Sequence, residues 1–194
     1  MQIKNSHRAS IAITFLATLL TITACNEKKE PTSNAIVSQT KVKPPTIDIH
    51  TAVMTDNTEA LKQHIAAGSD LNVKDPLGGS SPLISASLFG KTGMAKLLID
   101  AGADLNFQNN EGSTPLHSAS FICRLEIVKM LLDMGADKTI KNKYGNTAYE
   151  SVAGQFADVK SSYDALGKML EPMGMKLDYA YLEKTRPEIA TMLK

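Results

Sequence analysis

An all-α solenoid of stacked helix pairs is what this sequence predicts, and three observations predict it. The run Ala67-Gly68-Ser69-Asp70-Leu71-Asn72 recurs as Ala101-Gly102-Ala103-Asp104-Leu105-Asn106 and again as Met134-Gly135-Ala136-Asp137, with the glycines 34 and 33 residues apart. Pro82 and Pro115 lie 20 positions before Gly102 and Gly135 respectively, so two landmarks keep one register. The composition is 43% hydrophobic with 5% aromatic residues and no Trp, which leaves a continuous core to Leu, Ile, Ala and Met.

The first element in chain order is an address. Lys4 and Arg8 form a positive n-region, and Ile11 to Thr23 is an uncharged, mainly apolar run ending in small residues, the layout of a secretory signal peptide. A single-span anchor is the weaker alternative, because crossing hydrocarbon takes roughly 20 apolar residues and the polar Asn26-Glu27-Lys28-Lys29 cuts this run short. Ile22-Thr23-Ala24-Cys25 resembles a lipobox, the motif at which a diacylglycerol is attached to Cys and lipoprotein signal peptidase cuts just before it. That resemblance implies a signal peptide over residues 1–24 and an acylated Cys25, whose several chains hold a membrane more firmly than one could. With Asn26 rather than Asp at the second mature position, it also implies sorting to the outer membrane of a Gram-negative envelope, facing the periplasm. Residues 25–46 then read as lipidated Cys and tether: Pro31, Pro44, Pro45 and many Ser, Thr, Lys and Glu surround the apolar pair Ile36-Val37. As a flexible coil it spans about 25 Å.

Removing Lys4 and Arg8 with the leader leaves 19 basic against 20 acidic residues, a balance that argues against electrostatic nucleic-acid binding. Cys123 is then left without a cysteine partner in an oxidising compartment. It is either a small buried hydrophobe, the commoner case, or a redox-sensitive thiol.

Residues 47–153 carry the repeats. Thr114-Pro115-Leu116-His117 places a capping Thr before a Pro at the first helical position, and Ser81-Pro82-Leu83 does the same one unit earlier. Leu61 and Ile65, then Met94, Leu97, Leu98 and Ile99, then Ile127, Val128, Leu131 and Leu132 supply the apolar side of successive second helices. Gly68, Gly102 and Gly135 end those helices in a left-handed turn. With T-P-L-H opening the first helix and L-L-x-x-G-A-D closing the second, the sequence resembles the ankyrin repeat. That resemblance implies a structural His117, hydrogen-bonded to the backbone of the next repeat. The end units are degenerate: Asp48-Ile49-His50 replaces T-P-L-H in the first, His64 stands at an expected Leu, and a fourth unit reads Gly145-Asn146-Thr147-Ala148-Tyr149. Such polar drift suits caps that face solvent.

Three departures mark local adaptation. The loop Pro76-Leu77-Gly78-Gly79-Ser80 is one residue longer than Asn110-Glu111-Gly112-Ser113, and Cys123 stands at a turn position held by Gly90 in the preceding unit, which implies an altered or strained turn. Residues 154–194 read as a C-terminal helical insertion and capping helix. Phe156, Val159, Tyr163, Leu166 and Leu170 recur at helical steps until Pro172 and Gly174. Thr185-Arg186-Pro187-Glu188 has capping-box spacing and predicts the start of a last second helix, separated from its first helix by an insertion of roughly 30 residues.

The resemblance also implies that a protein partner is gripped on the concave side. Counted from the T-P-L-H register, its variable positions are Met54 and Thr55, Leu88 and Phe89, and Phe121 and Ile122. The large apolar ones either pack on the adjacent helix and loop or form a stripe for the partner, with a rim at Lys74, Leu77, Gln108, Asn110, Glu111, Lys141, Lys143 and Tyr144. The partner-binding set is thus Met54, Leu77, Leu88, Phe89, Glu111, Phe121, Ile122 and Tyr144. His50, His64 and His117 have no metal-ligand spacing, and Gly78-Gly79 lacks the Lys of a phosphate loop. The expectation is therefore a binding module rather than an enzyme, without cofactor, metal or small-molecule substrate. Ankyrin-like lipoproteins resembling this one occur beside secreted phospholipase effectors, and other exported ankyrin proteins beside catalases. The resemblance thus allows a general scaffold, an immunity protein against a periplasm-acting toxin, or an accessory to oxidative-stress defence. Globomycin treatment of the producing cell should make a precursor retaining residues 1–24 accumulate; an unchanged size on an immunoblot would overturn lipoprotein processing.

Overall fold

The computed structural model describes residues 42–194, so Cys25, the leader and nearly all of the tether lie outside the described residues. Helices pair as α1 (Ile49–Met54) with α2 (Thr58–Ala66), α3 (Pro82–Phe89) with α4 (Thr92–Asp100), and α5 (Pro115–Phe121) with α6 (Leu125–Asp133). A fourth first helix, α7 (Glu150–Ala153), is followed by α8 (Phe156–Leu170), a 3₁₀ turn at Glu171–Met173, and α9 (Tyr179–Leu193). The first helices α1, α3, α5 and α7 pack side by side in one layer, and α2, α4, α6 and α9 do so in the other, with α9 in the place of a fourth second helix. No strand occurs among the described residues.

Local chemistry explains where the helices begin. Thr114 and His117 close a reciprocal capping box at α5, Ser81 Oγ accepts from the Ile84 N–H at 3.3 Å in α3, and both helices open on Pro. Asp48 and Asn57 cap α1 and α2 in the same way. Helices α2, α4 and α6 each exit through a left-handed glycine, with φ of +69° at Gly68, +85° at Gly102 and +84° at Gly135. The turn within each helix pair is left-handed too, at Asp56 (φ +53°), Gly90 (φ +68°) and Cys123 (φ +55°). Two of these three positions hold a residue for which that backbone is costly, by about 1 kcal/mol or more.

The loops are built on a repeated polar device. Asp75, Asn109 and Asn142 each fold a hairpin by accepting from N–H groups two to five residues ahead, and the first of these loops closes onto Ser80 with one more residue than the others. Adjacent repeats are laced together: Asn72 Oδ1 accepts from the Asp104 N–H at 2.9 Å, and Asn106 Oδ1 accepts from the Asp137 N–H at 2.8 Å. Gly79 is required where two hairpins meet, because a Cβ there would stand 2.3 Å from Asn110 Oδ1 on a backbone already at φ +65°.

The core runs through the stack as one body. Leu61, Leu83, Leu98, Leu116, Ile127 and Leu131 are buried, while Ile65, Leu97 and Leu132 pack half-buried at its margin. Each fully buried Leu or Ile contributes on the order of 2 kcal/mol. Two terminal expectations need correction. His64 does not face solvent: it is buried, its Nε2–H donating to the Ile47 carbonyl at 2.9 Å and its Nδ1 lying 3.0 Å from Ser69 Oγ, so it ties the segment preceding α1 to α2. Thr185 does not open a helix either. Asp178 caps α9 through the Tyr181 N–H at 3.0 Å, and Pro187 lies inside the helix. The early start wins because the first turns of α9 bury Leu182 and Thr185, and that packing outweighs the bond a mid-helix Pro forfeits.

His117 joins two repeats. Its Nε2–H donates to the Asn146 carbonyl at 3.0 Å, which leaves Nδ1 as the acceptor facing the Thr114 N–H and hydroxyl. Burial lowers the imidazole below its ordinary pKa, and the Asn146 bond opposes this only in part. The unfolded chain therefore takes up a proton while the folded imidazole is still neutral. Stability from this group is complete above about pH 6.5 and is lost as pH falls toward the depressed folded value. The urea midpoint should drop between about pH 7.5 and pH 5, and His117→Asn should flatten that slope; an unchanged slope in the variant would show that His117 is not its source.

Candidate functional site

Met54, Leu88 and Phe121 fall at the ends of α1, α3 and α5, in one row across adjacent repeats. Met54, Leu88 and Phe89 are half-buried, and Leu88 and Phe89 pack against the core. Part of the stripe is thus core packing. Ile122 must be withdrawn from the partner-binding set, because it is buried to 2% exposure. It belongs to the continuous core, and the turn it opens is covered by α9: Tyr181 Oη donates to the Cys123 carbonyl at 3.0 Å, and the Cys123 thiol reaches the Leu182 carbonyl at 3.8 Å.

Phe121 is also less available than expected. The ring of Tyr163, from α8, stacks on it with centroids 4.5 Å apart at 14°. Tyr163 Oη donates to the Phe121 carbonyl at 2.6 Å and accepts from Arg186 Nη1 at 2.8 Å. Phe156 stacks on Tyr163 at 5.5 Å and meets Tyr179 edge-on, extending an aromatic file away from α5. Arg186 is 2% exposed, pairs with no carboxylate among the described residues, and also donates to the carbonyls of Ser151 and Gly154 at 3.2 and 3.3 Å. Its guanidinium therefore sits at the carbonyl end of α7, where the helix dipole favours a cation.

At the hairpin tips the picture is different. Leu77, Glu111 and Tyr144 occupy successive tips; Leu77 is 90% exposed and Tyr144 71% exposed. Tyr144 Oη donates to Glu111 Oε2 at 2.8 Å, which pushes the phenol pKa up through that bond and the adjacent charge. Backbone bonds hold the tips in register, with the Asn110 N–H on the Gly78 carbonyl at 3.0 Å and the Lys143 N–H on the Glu111 carbonyl at 2.9 Å. Other rim residues are engaged within the array: the Lys74 ammonium lies over the Phe107 ring, Gln108 spans to Gly112 and Lys141 carbonyls, and Lys141 approaches Glu150. The tips thus present a row of two apolar side chains flanking an acid on a fixed backbone.

Cys123 is a packing group. Burial pushes its thiol pKa up to about 11, against the pull of Arg186 and Arg124, so almost none is thiolate near neutral pH. Among the described residues no three His, Cys, Asp or Glu side chains converge to hold a metal ion, and no helix is long and apolar enough to cross a membrane. Sequence reasoning missed the aromatic cover on Phe121 and the buried Arg186. Tyr163 was visible as an apolar position of α8, but a charged side chain gives no periodic signal of burial.

Residues 49–142 match the family model for ankyrin repeats, in three copies. Among solved structures the chain is similar to the ankyrin repeat domain of Bcl-3, described as a unique member of the IkappaB protein family. The two share 33% identity over 56% of this chain and 53% of that chain, with a TM-score of 0.52. This chain thus spans about half the length of that relative. No curated protein matches in sequence.

Proposed function

Since residues 49–142 are ankyrin repeats, we propose that this protein is a protein-binding module, exported and held on the periplasmic face of a membrane through lipid on Cys25. The observation that carries the binding reading is the exposed row at the hairpin tips, Leu77 and Tyr144 flanking the acid Glu111. An exposed Leu at a loop tip gains nothing for folding, and its burial by a partner would release its apolar surface from water. Half-buried Met54, Leu88 and Phe89 offer a second, lesser apolar row at the ends of the first helices. The anchor supports the location: the lipobox-like run and the Pro-rich tether would set the array within reach of a bilayer.

The double change Leu77→Ser/Tyr144→Ser removes only exposed side chains, so the helical circular dichroism should persist. Affinity capture from the native envelope should lose its specific partner by about tenfold or more, as when central apolar contacts are removed. Leu88→Asp, tested for folding beside it, probes the first-helix side. Undiminished capture by both variants would remove this face from the proposal.

A finer reading, neutralisation of a toxin that attacks the membrane, is favoured by Cys25, because such an inhibitor acts where the lipid would hold it. Deleting the gene should then sensitise cells to killing by sister cells in co-culture. Equal survival of deleted and intact strains would dismiss that role and leave the general binding module standing.

A further inference from the structure

The insertion between α7 and α9 is attached unevenly. Of the fifteen residues of α8, only Tyr163 and Leu170 are buried, whereas α9, of equal length, buries Leu182, Thr185, Arg186, Ile189, Ala190 and Leu193. The side chain of Gln155 makes no cap at the start of α8, and the segment begins after the exposed Gly154 and ends at Gly174, which adopts φ +80°. Among the described residues, polar fastening of α8 to the repeats falls on one side chain: Tyr163 Oη bridges the Phe121 carbonyl and Arg186. Arg186 does not depend on that bridge to stay in place, because it also grips the Ser151 and Gly154 carbonyls. The root of the insertion is therefore locked, while α8 meets the repeats chiefly through the Tyr163 ring and otherwise leans on Tyr179 at the start of α9, through Phe156 edge-on and Lys160 over the ring.

We propose that α8 is a displaceable strap that covers the Phe121 end of the Met54, Leu88 and Phe121 row and opens as a unit while the repeats stay folded. Opening exposes the Phe121 ring and its carbonyl. The occupant that fits is an aromatic side chain of a protein partner, laid on Phe121 in place of Tyr163. This last step rests on the binding reading above; the opening itself does not. The strap makes binding at this end a competition: a partner must exceed the stack and hydrogen bonds that Tyr163 already supplies.

Hydrogen exchange of the free, full-length mature chain tests the opening without any partner. Amides of residues 156–170 should exchange at least about tenfold faster than those of α5, α6 and α9. Tyr163→Ala should speed α8 further and leave α3 to α6 unchanged, and Tyr163→Phe, which keeps the stack but removes both hydrogen bonds, should fall between. Exchange of α8 at the rate of α9, or acceleration of the whole array in Tyr163→Ala, would show that α8 opens only with global unfolding and overturn the strap. Because no partner enters this measurement, its failure leaves the capture result untouched, and failed capture leaves the strap untouched.

Discussion

No helix pair of this array can bury its apolar side alone, and every other feature follows from that constraint. Leu61, Leu98 and Leu131 are buried because each second helix has a neighbour on its flank, and the first helices need the same. Contact must therefore be made in fixed register, and polar groups enforce it. Asn72 and Asn106 reach forward to the next repeat, as does His117 through Asn146, so each repeat dictates where the following backbone sits. The hairpins inherit this register, which is why Leu77, Glu111 and Tyr144 line up at their tips.

A stack so built has two raw ends, and this chain closes them by different means. At the amino end a polar side chain turns inward: His64 takes a core position and satisfies both nitrogens against the segment preceding α1 and the loop after α2. At the other end α9 supplies the missing second helix, but it arrives only after α8 has crossed the edge of the third repeat. The insertion brings Tyr163 over Phe121 and the first turns of α9 onto Cys123, so the same segment that caps the fold also narrows the surface open to a partner.

Much of this was legible in the sequence because it is periodic. The glycine spacing, the Thr-Pro start of α5, the longer second loop and the strain at Cys123 each follow from one position compared with its counterpart a repeat away. What escaped has no counterpart to compare. Tyr163 and Arg186 belong to a segment outside the repeat, so nothing in register announced that one covers Phe121 and the other lies buried. The Thr185-Arg186-Pro187-Glu188 run misled for a physical reason: a Thr with Glu three residues on is a good helix start when the preceding chain is extended, but here Asp178 had already begun the helix.

Arg186 shows how the end is specified. A buried guanidinium without a carboxylate gains little net stability, since its desolvation offsets most of what its hydrogen bonds return. What it adds is selectivity. Its three acceptors, the carbonyls of Ser151 and Gly154 and the hydroxyl of Tyr163, come from α7, from the exit of α7 and from α8, so only one docking of α9 satisfies them together. An apolar residue would pack at that place in several registers. The three bonds of the Arg186 Nη atoms favour one, and so fix the level at which α9 stands beside α6 and the point at which the Tyr163 ring meets Phe121.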